Sequence, residues 1–267
     1  MKRFIPFIAK DPTVAVIGLN GVIAASARGG TLSDASLAPV IERAFSRGKP
    51  AAVALVINSP GGSPAQSSLI AARIRRLADE KKLPVHAFVE DVAASGGYWL
   101  ACAADDIWLD DSSIVGSIGV ISASFGLHEA IARLGIERRV HTAGKDKSML
   151  DPFRPERPED VERLKAIQSQ IHDSFIAHVK TRRGARLPDD AELFTGEFWV
   201  GRRGVELGLA DGIAHIVPKM KELYGEKTRF TRYGPKRSIF QRFGAQLGAD
   251  LAAGIEDRVH WSRFGLS

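Results

Sequence analysis

The most informative part of this chain about its fold class is Ala51-Ala-Val-Ala-Leu-Val-Ile-Asn-Ser-Pro-Gly-Gly62. Its first seven residues, up to Ile57, form a continuous apolar run, which is typical of a parallel strand buried on both faces. A turn rich in proline and glycine follows at once, and a helix is predicted after it over about residues 65–81. Strand, turn and helix in this order are the repeating unit of an α/β fold.

The same alternation continues on both sides of this unit. Ser95 is predicted to open a helix directly after a strand. Strands are predicted over Thr13–Ala24, Pro84–Val89, Asp106–Leu109, Ile114–Ile121 and Glu137–Thr142, and helices over Ser36–Arg47, Leu127–Leu134, the residues beyond Pro158, and Gly196–Gly208. The pattern predicts an α/β protein with a mostly parallel sheet and helices outside it.

Two glycine-rich turns carry the chemistry, and both are expected where a strand gives way to a helix. Gly61 and Gly62 stand in the first turn, and Ser95 and Gly96 stand in the second. Free N–H groups at a helix start are partly positive and suit an oxyanion, while glycine lets a substrate carbonyl approach closely. Either turn alone is ordinary loop chemistry. Together they provide a candidate nucleophile, Ser95, facing a candidate oxyanion hole.

A general base is the remaining requirement. The chain has seven histidines, none in a recognisable triad motif: His86, His128, His141, His172, His178, His215 and His260. A triad formed by tertiary structure stays open at this stage. A lysine can serve instead if desolvation lowers its pKa, and Lys145 and Lys147 in Gly144-Lys-Asp-Lys-Ser148 are both candidates.

Four motifs in one order resemble the signal peptide peptidase A family of serine proteases, peptidase family S49. They are Ile57-Asn-Ser-Pro-Gly-Gly62, Ala94-Ser-Gly-Gly-Tyr98, Val115-Gly-Ser-Ile-Gly-Val120 and Gly144-Lys-Asp-Lys-Ser148 with Asp151-Pro-Phe153. The resemblance runs from about Thr13 to Val217. It implies the spiral α/β fold shared by the Clp protease and crotonase group, here in a short form without a membrane anchor.

The resemblance also assigns roles to residues. It implies a Ser/Lys dyad with Ser95 as nucleophile and Lys147, directly before Ser148, as general base. Ser117 matches the serine that orients the lysine amine, and the backbone of Gly62 and Gly96 would hold the oxyanion. No cofactor and no metal is implied. Asp146 departs from the family pattern, which has an aromatic residue at this position.

The resemblance implies peptide or unfolded protein as substrate, including signal-peptide remnants and membrane-associated segments. It also implies a homo-oligomeric ring in which a lysine reaches the serine of a neighbouring subunit. Two other functions are weighed against this one. A crotonase-type acyl-CoA enzyme would need carboxylates near the oxyanion hole, and a catalytically silent scaffold would need none of these groups.

Composition sets the remaining expectations. The 267 residues are 45% hydrophobic, enough for a substantial core, and the single cysteine, Cys102, lies in an apolar run and is expected to be a buried structural thiol. The apolar stretch near the N-terminus is six residues long and contains Pro6. It is too short for a secretory or spanning segment, so a cytoplasmic location is expected.

The C-terminal part is expected to differ from the body. We place a peptidase domain at residues 1–223 and a basic linker with an amphipathic terminal helix at 224–267. The basic residues of the linker are expected to form a solvated surface, and no nucleic-acid partner is expected. The terminal helix has an apolar stripe that predicts docking on the body or on a second subunit, and it leaves peripheral contact with the inner face of a membrane open. The stripe comprises Phe240, Phe243, Leu247, Leu251 and Ile255, followed by Trp261 and Phe264.

Overall fold

The computed structural model of the chain describes residues 11–25, 31–144, 146–188, 191–234 and 261–265. Within them, one mostly parallel sheet contains eight strands in the order β6-β5-β3-β2-β1-β8, with β4 joining β3 to β7. The strands are β1 (Thr13–Asn20), β2 (Ala52–Ser59), β3 (Val85–Ala94), β4 (Asp106–Leu109), β5 (Ile114–Gly116), β6 (Phe198–Val200), β7 (Gly212–Ile213) and β8 (Arg229–Tyr233). Only the β5–β6 pairing is antiparallel among these. The predicted mostly parallel α/β fold is confirmed.

The helices follow the strands along the chain. They are α1 (Asp34–Ser46), α2 (Pro64–Lys81), α3 (Gly96–Ala101), α4 (His128–Arg133), α5 (Pro158–Arg183), α6 (Gly201–Glu206) and α7 (Ile216–Tyr224). The local sequence explains where two of these helices begin. The Ser33 side chain caps α1 in a reciprocal pair with Ser36, and the Ser63 side chain accepts a hydrogen bond from the Gln66 N–H ahead of Pro64 in α2.

Both faces of the sheet are covered. The main core lies on the face that carries α1, α2 and α3, where Ile17, Leu55 and Ile57 are fully buried. A smaller core on the opposite face joins Val16, Phe88 and other strand residues to Met220 of α7. A continuous apolar strand such as β2 is therefore buried on both sides, as its sequence predicts.

Several boundaries differ from the sequence prediction. Residues 137–142 are not a strand: this charged and exposed segment pairs with no strand in the described part of the chain. The stretch Gly196–Gly208 is not one helix, since Phe198–Val200 pairs with β5 before α6 begins. The strand predicted over Ile114–Ile121 ends at Gly116. The β3 strand continues past Val89 to Ala94.

The C-terminal part is described only in places. Residues 229–233, predicted as linker, form β8 and pair in parallel with β1. The predicted stripe from Phe240 to Ile255 lies outside the described residues. Phe264 is buried against Val92 and Ala94 of β3, with Trp261 packed beside it, so the end of the described chain docks on the body. None of the helices in the described ranges has the length and hydrophobicity that a membrane crossing requires.

Residues 121–157, here called the arm, extend from the body between β5 and α5. Five large apolar side chains of the arm are exposed, with Phe125 at 84%: Ile121, Phe125, Leu127, Leu134 and Ile136. The arm is held together by its own contacts, among them a hydrogen bond from the Leu127 N–H to the Pro152 carbonyl at 2.7 Å. The described residues of the arm thus present an apolar surface.

Candidate active site

Ser95 occupies the sharp turn between β3 and α3. Its backbone has φ 52° and ψ −121°, a conformation that non-glycine residues rarely adopt and that is frequent at functional turns. The Ser95 N–H donates to the Gly116 carbonyl at 2.8 Å, and the Ser95 carbonyl accepts from the Trp99 N–H at 3.0 Å. The side chain is half-buried and forms no capping hydrogen bond. The hydroxyl is thus presented by a fixed backbone and is not used to cap the helix.

The two glycine turns meet at Ser95. A Cβ atom placed on Gly61 would lie 2.8 Å from both the Gly96 nitrogen and the Ser95 Cβ, so the backbones touch here. Gly62 has φ 136° and a Cβ there would lie 2.1 Å from the Ile23 carbonyl oxygen. Only glycine fits either position. The two turns are adjacent in the structure, as the sequence predicts.

The backbone N–H groups at these two turns differ in their hydrogen bonding. The Gly61 N–H donates to the Ser59 hydroxyl at 3.3 Å. The N–H groups of Gly62 and Gly96 donate to no acceptor among the described residues, and Gly96 is the first residue of α3. The first N–H groups of a helix have no intrahelical partner and carry partial positive charge. Gly62 and Gly96 are therefore better oxyanion donors than Gly61.

Ser95, Gly62 and Gly96 line one small cleft of about 10 Å³, roughly the volume that a water molecule needs. Its other walls are largely apolar: Pro64, Trp99, Gly119, Val120, Ile171 and Phe175. Among these described lining residues there is no carboxylate and no histidine. Ile171 and Phe175 come from α5, where the sequence showed only an apolar stripe, so their place at the cleft was not predicted.

Trp99 is fixed by two aromatic neighbours from α5. Its ring stacks on Phe175 at 4.8 Å and on His178 at 5.0 Å between centroids. The Nε2–H of His178 donates to the Trp99 carbonyl at 3.1 Å, and burial lowers the pKa of this imidazole. His178 is therefore a neutral packing residue that supports the cleft wall.

Ser117 lies close to Ser95 through the strand pairing. Ala94 pairs with Gly116 in the register of β3 and β5, so the residues that follow each of them are neighbours. Ser117 is only 5% exposed and also has a positive φ, 52°. Its N–H donates to the Glu197 carbonyl at 2.6 Å. The structure thus brings Ser117 to the nucleophile turn, although it does not line the cleft.

Lys147 stands apart from these residues. It is exposed on the arm, in the turn over residues 146–150, and it does not line the cleft. The neighbouring Asp146 carboxylate accepts from Arg163 of α5 at 2.8 Å. That ion pair gives Asp146 a partner other than the lysine amine. Lys145 lies outside the described residues.

These features define a class of protein. A serine on a strained turn between a buried strand and a helix, beside two unused amide donors, is the equipment of a serine hydrolase. The family model described as Peptidase family S49 matches residues 77–226. The chain belongs to peptidase family S49, a family of serine proteases.

Two relatives are similar to most or all of this chain and have different names. A protein of Enterococcus faecium named putative signal peptide peptidase SppA is 30% identical over 66% of this chain and 51% of its own length. A protein of Brucella melitensis named Na(+)/H(+) antiporter NhaA is 46% identical over 100% of this chain, which spans 39% of that protein. This chain thus corresponds to about half or less of each relative.

A solved structure shares the fold. A mutant of the 1510-N membrane-bound stomatin-specific protease, in complex with a substrate peptide, superposes with a TM-score of 0.52 and 13% identity. The match covers 93% of this chain and 100% of that one. At this identity the likeness supports the α/β fold.

Proposed function

We propose that this protein is a serine endopeptidase that cleaves extended peptides through an acyl-enzyme on Ser95. The observation that carries the proposal is the common cleft of Ser95, Gly62 and Gly96. The serine and the two residues with unused amide donors line the same space there. A scissile carbonyl in this cleft would have its carbon at the hydroxyl and its oxygen at the amides, the arrangement of acyl transfer.

The reaction has two halves. Ser95 Oγ attacks the peptide carbonyl carbon while the Lys147 amine takes the hydroxyl proton, and the N–H groups of Gly62 and Gly96 stabilise the oxyanion. The protonated amine then donates to the leaving nitrogen, which departs with the C-terminal fragment. Water then attacks the ester while the amine takes its proton, and the amine returns that proton to Ser95 Oγ as the ester bond breaks and the N-terminal fragment leaves as an acid. Ser117, beside the nucleophile turn, orients the lysine amine.

The composition of the cleft supports this reaction over its alternatives. A crotonase-type acyl-CoA enzyme would need carboxylates at the oxyanion hole, and none of the described lining residues is one. A histidine triad would need an imidazole beside Ser95, and no described histidine lines the cleft. The small apolar cleft favours small or apolar side chains beside the scissile bond. The name of one relative, putative signal peptide peptidase SppA, supports signal-peptide remnants as substrates.

The position of Lys147 supports an oligomeric enzyme. The arm exposes Phe125, Leu134 and other apolar side chains that a second copy would cover. Lys147 lies on this same arm, so assembly of a ring carries the lysine of one subunit toward the Ser95 of its neighbour. The isolated chain is then inactive.

A phosphonate activity probe with mass spectrometry tests the proposal. We expect an adduct on Ser95 in the wild-type protein and none in Ser95→Ala or Lys147→Ala. Lys165→Ala removes an exposed lysine of α5 and serves as the control that keeps full labelling. An unlabelled wild-type oligomer of native secondary structure would reject the peptidase and favour a silent scaffold.

Mixing the two inactive variants shows where the lysine comes from. A Ser95→Ala subunit supplies an intact lysine, and a Lys147→Ala subunit supplies an intact serine. Subunits exchanged under mild denaturant recover hydrolysis of an apolar peptide substrate if the dyad forms between subunits. A dyad within one chain gives no recovery.

A further inference from the structure

His172 of α5 is hydrogen-bonded to the chain directly after Ser117. Its half-buried imidazole has Nε2 at 2.9 Å from the carbonyl oxygen of Ile118. A carbonyl oxygen can only accept, so the Nε2–H is the donor. His172 also follows Ile171, which lines the cleft at Ser95. This side chain therefore joins α5 to the loop that leads from Ser117 into the cleft wall.

Residues 117–120, here called the wall loop, reach the cleft through Gly119 and Val120. Few hydrogen bonds fix this loop. At its start the Ser117 N–H donates to a backbone carbonyl at 2.6 Å, and within it the Gly119 N–H donates to the Ser117 carbonyl at 2.9 Å. Among the described residues, only His172 binds the wall loop through a side-chain hydrogen bond.

The chain beyond the wall loop has no backbone tether for several residues. In the described part of the chain, the backbone groups of residues 120–126 form no hydrogen bond with other backbone groups, and the next such bond is made by the Leu127 N–H in the arm. The bond from His172 is thus the last hydrogen bond on the wall loop before the arm begins. Without it, the Ile118 carbonyl would lose its donor, and the loop would shift to find another.

The position of the wall loop limits what the cleft can accept. The cleft measures about 10 Å³, which is roughly the room of one water molecule or one methyl group. Gly119 and Val120 contribute to its lining together with Ile171 and Phe175 of α5. In a cleft this small, a modest displacement of the wall loop away from α5 would admit a longer side chain.

We propose that His172 is a positioning residue that sets substrate specificity, because it holds the wall loop where the cleft takes only a small side chain. That side chain belongs to the substrate residue whose carbonyl Ser95 attacks. The choice of a peptide as ligand rests on the proposed function. His172 itself does not line the cleft and acts through the Ile118 carbonyl. Loss of its hydrogen bond should therefore change which peptide is preferred.

Peptide binding without turnover tests the assignment. All proteins carry Ser95→Ala, and two fluorescein-labelled apolar decapeptides differ only in a central alanine or leucine. Fluorescence anisotropy is expected to show the alanine peptide binding about tenfold more tightly while His172 is present, and His172→Ala should lower this ratio to about twofold. His172→Gln keeps an N–H donor at a similar reach and should preserve the ratio.

The matched control is Gln170→Ala, which truncates an exposed polar side chain of the same helix and should leave the ratio unchanged. A merely structural role for His172 would weaken both peptides alike and keep their ratio. That result, or equal binding of the two peptides before any change at His172, would overturn the proposal. An equal fall of the ratio in His172→Ala and His172→Gln would also overturn it, since the donor would then not matter.

Failure of this proposal is separable from failure of the proposed function. Hydrolysis of both peptides by protein with Ser95 intact, with a kcat/KM ratio that His172→Ala leaves unchanged, rejects the role of His172 and leaves the peptidase intact. A binding ratio that depends on His172, in a protein that takes no phosphonate probe on Ser95, keeps the role and rejects the peptidase. Circular dichroism of each variant shows whether the fold is retained.

Discussion

The Ser95 N–H donates a 2.8 Å hydrogen bond to the carbonyl of Gly116, the residue before Ser117. This bond joins the turn that presents the nucleophile to the turn that holds the second serine. Both serines have φ 52°, so two unfavourable backbone conformations are held by one strand pairing. The strain is local to the site, as expected where the surrounding structure fixes it.

Gly116→Ala should therefore disturb both turns together. The new Cβ would lie 2.8 Å from the Trp199 ring at a φ of +110°, so the backbone must shift. We expect kcat/KM for an apolar peptide to fall by about 100-fold, since displacements of about 1 Å can cost this much. Gly48→Ala, at φ +79° with open space around it, is the control for conformational strain alone. Similar losses in both variants would contradict the prediction.

Gly62→Ala should remove an oxyanion donor. Its Cβ would lie 2.1 Å from the Ile23 carbonyl oxygen, which forces apart the bridge between Ile23 and Gly62. We expect kcat to fall by about 10²–10³-fold with the chain still folded. Steady-state kinetics beside thermal unfolding will check this. Gly225→Ala, at φ +98° with no atom within 4 Å, should lose stability at most and keep kcat.

Phe125→Asp should dissociate the oligomer. Phe125 is 84% exposed on the arm, where a second copy would bury it, and a buried unpaired carboxylate is costly. Sedimentation velocity should show a smaller species with unchanged circular dichroism. Leu69→Asp places the same charge at a 51% exposed apolar position of α2 on the body. An unchanged sedimentation coefficient for Phe125→Asp would remove the arm from the interface.

The Asp34–Arg73 pair should make stability depend on pH. Two hydrogen bonds of 2.7 Å join these side chains, and chiefly the bond to Arg73 holds the pKa of the Asp34 carboxyl below its ordinary value. The contribution, about 1 kcal/mol, is complete above the unfolded pKa of about 3.9. It is lost as the pH falls through the lower folded pKa. Asp34→Asn should be less stable than wild type at pH 7 and equal to it in strong acid.

Urea unfolding between pH 7 and pH 2 measures that difference. Glu80→Gln is the control, because its partner Arg76 is half exposed and such pairs contribute little. A constant gap between Asp34→Asn and wild type down to pH 2 would show that the ion pair is not its source.

Cys102 should resist thiol reagents in the folded protein. The side chain is fully buried, and burial raises the pKa of the thiol to about 12. The reactive thiolate is thus scarce at pH 8, and the reagent has no access. We expect no reaction with an aromatic disulfide reagent until urea unfolds the chain, and then one equivalent. Rapid labelling of the native protein would contradict the packing described for this residue, which the sequence predicted to be structural.

The features that the sequence predicts well are those fixed by local patterns. The apolar run of β2, the proline at the start of α2 and the strand-to-helix turn at Ser95 each follow from residues within one or two turns of chain. The two glycine turns also meet as predicted, because parallel strands end at the same edge of a sheet.

The features that the sequence predicts poorly depend on contacts between residues far apart in the chain. Ile171 and Phe175 form the cleft wall only because α5 crosses the end of α3, and periodicity alone could not say what they face. The extra residues of β3 at Glu90 and Asp91 reflect its pairing with β2, which no local signal marks. Lys147 was expected to follow a strand over Glu137–Thr142, yet residues 137–142 pair with none of the described strands. The roles assigned to Lys147, Ser117 and the glycine amides stay predictions.

The helix α5 has a mechanical consequence for the enzyme. It runs unbroken for 26 residues, about 39 Å, and its first turns hold the arm through Asp160 and Arg163. Its later turns carry Ile171 and Phe175 into the wall beside the nucleophile. Because α5 is one continuous helix, a displacement of the arm would be transmitted to that wall through the helix itself, with no loop in between. The wall of the cleft and the attachment of the arm are in this way parts of the same helix.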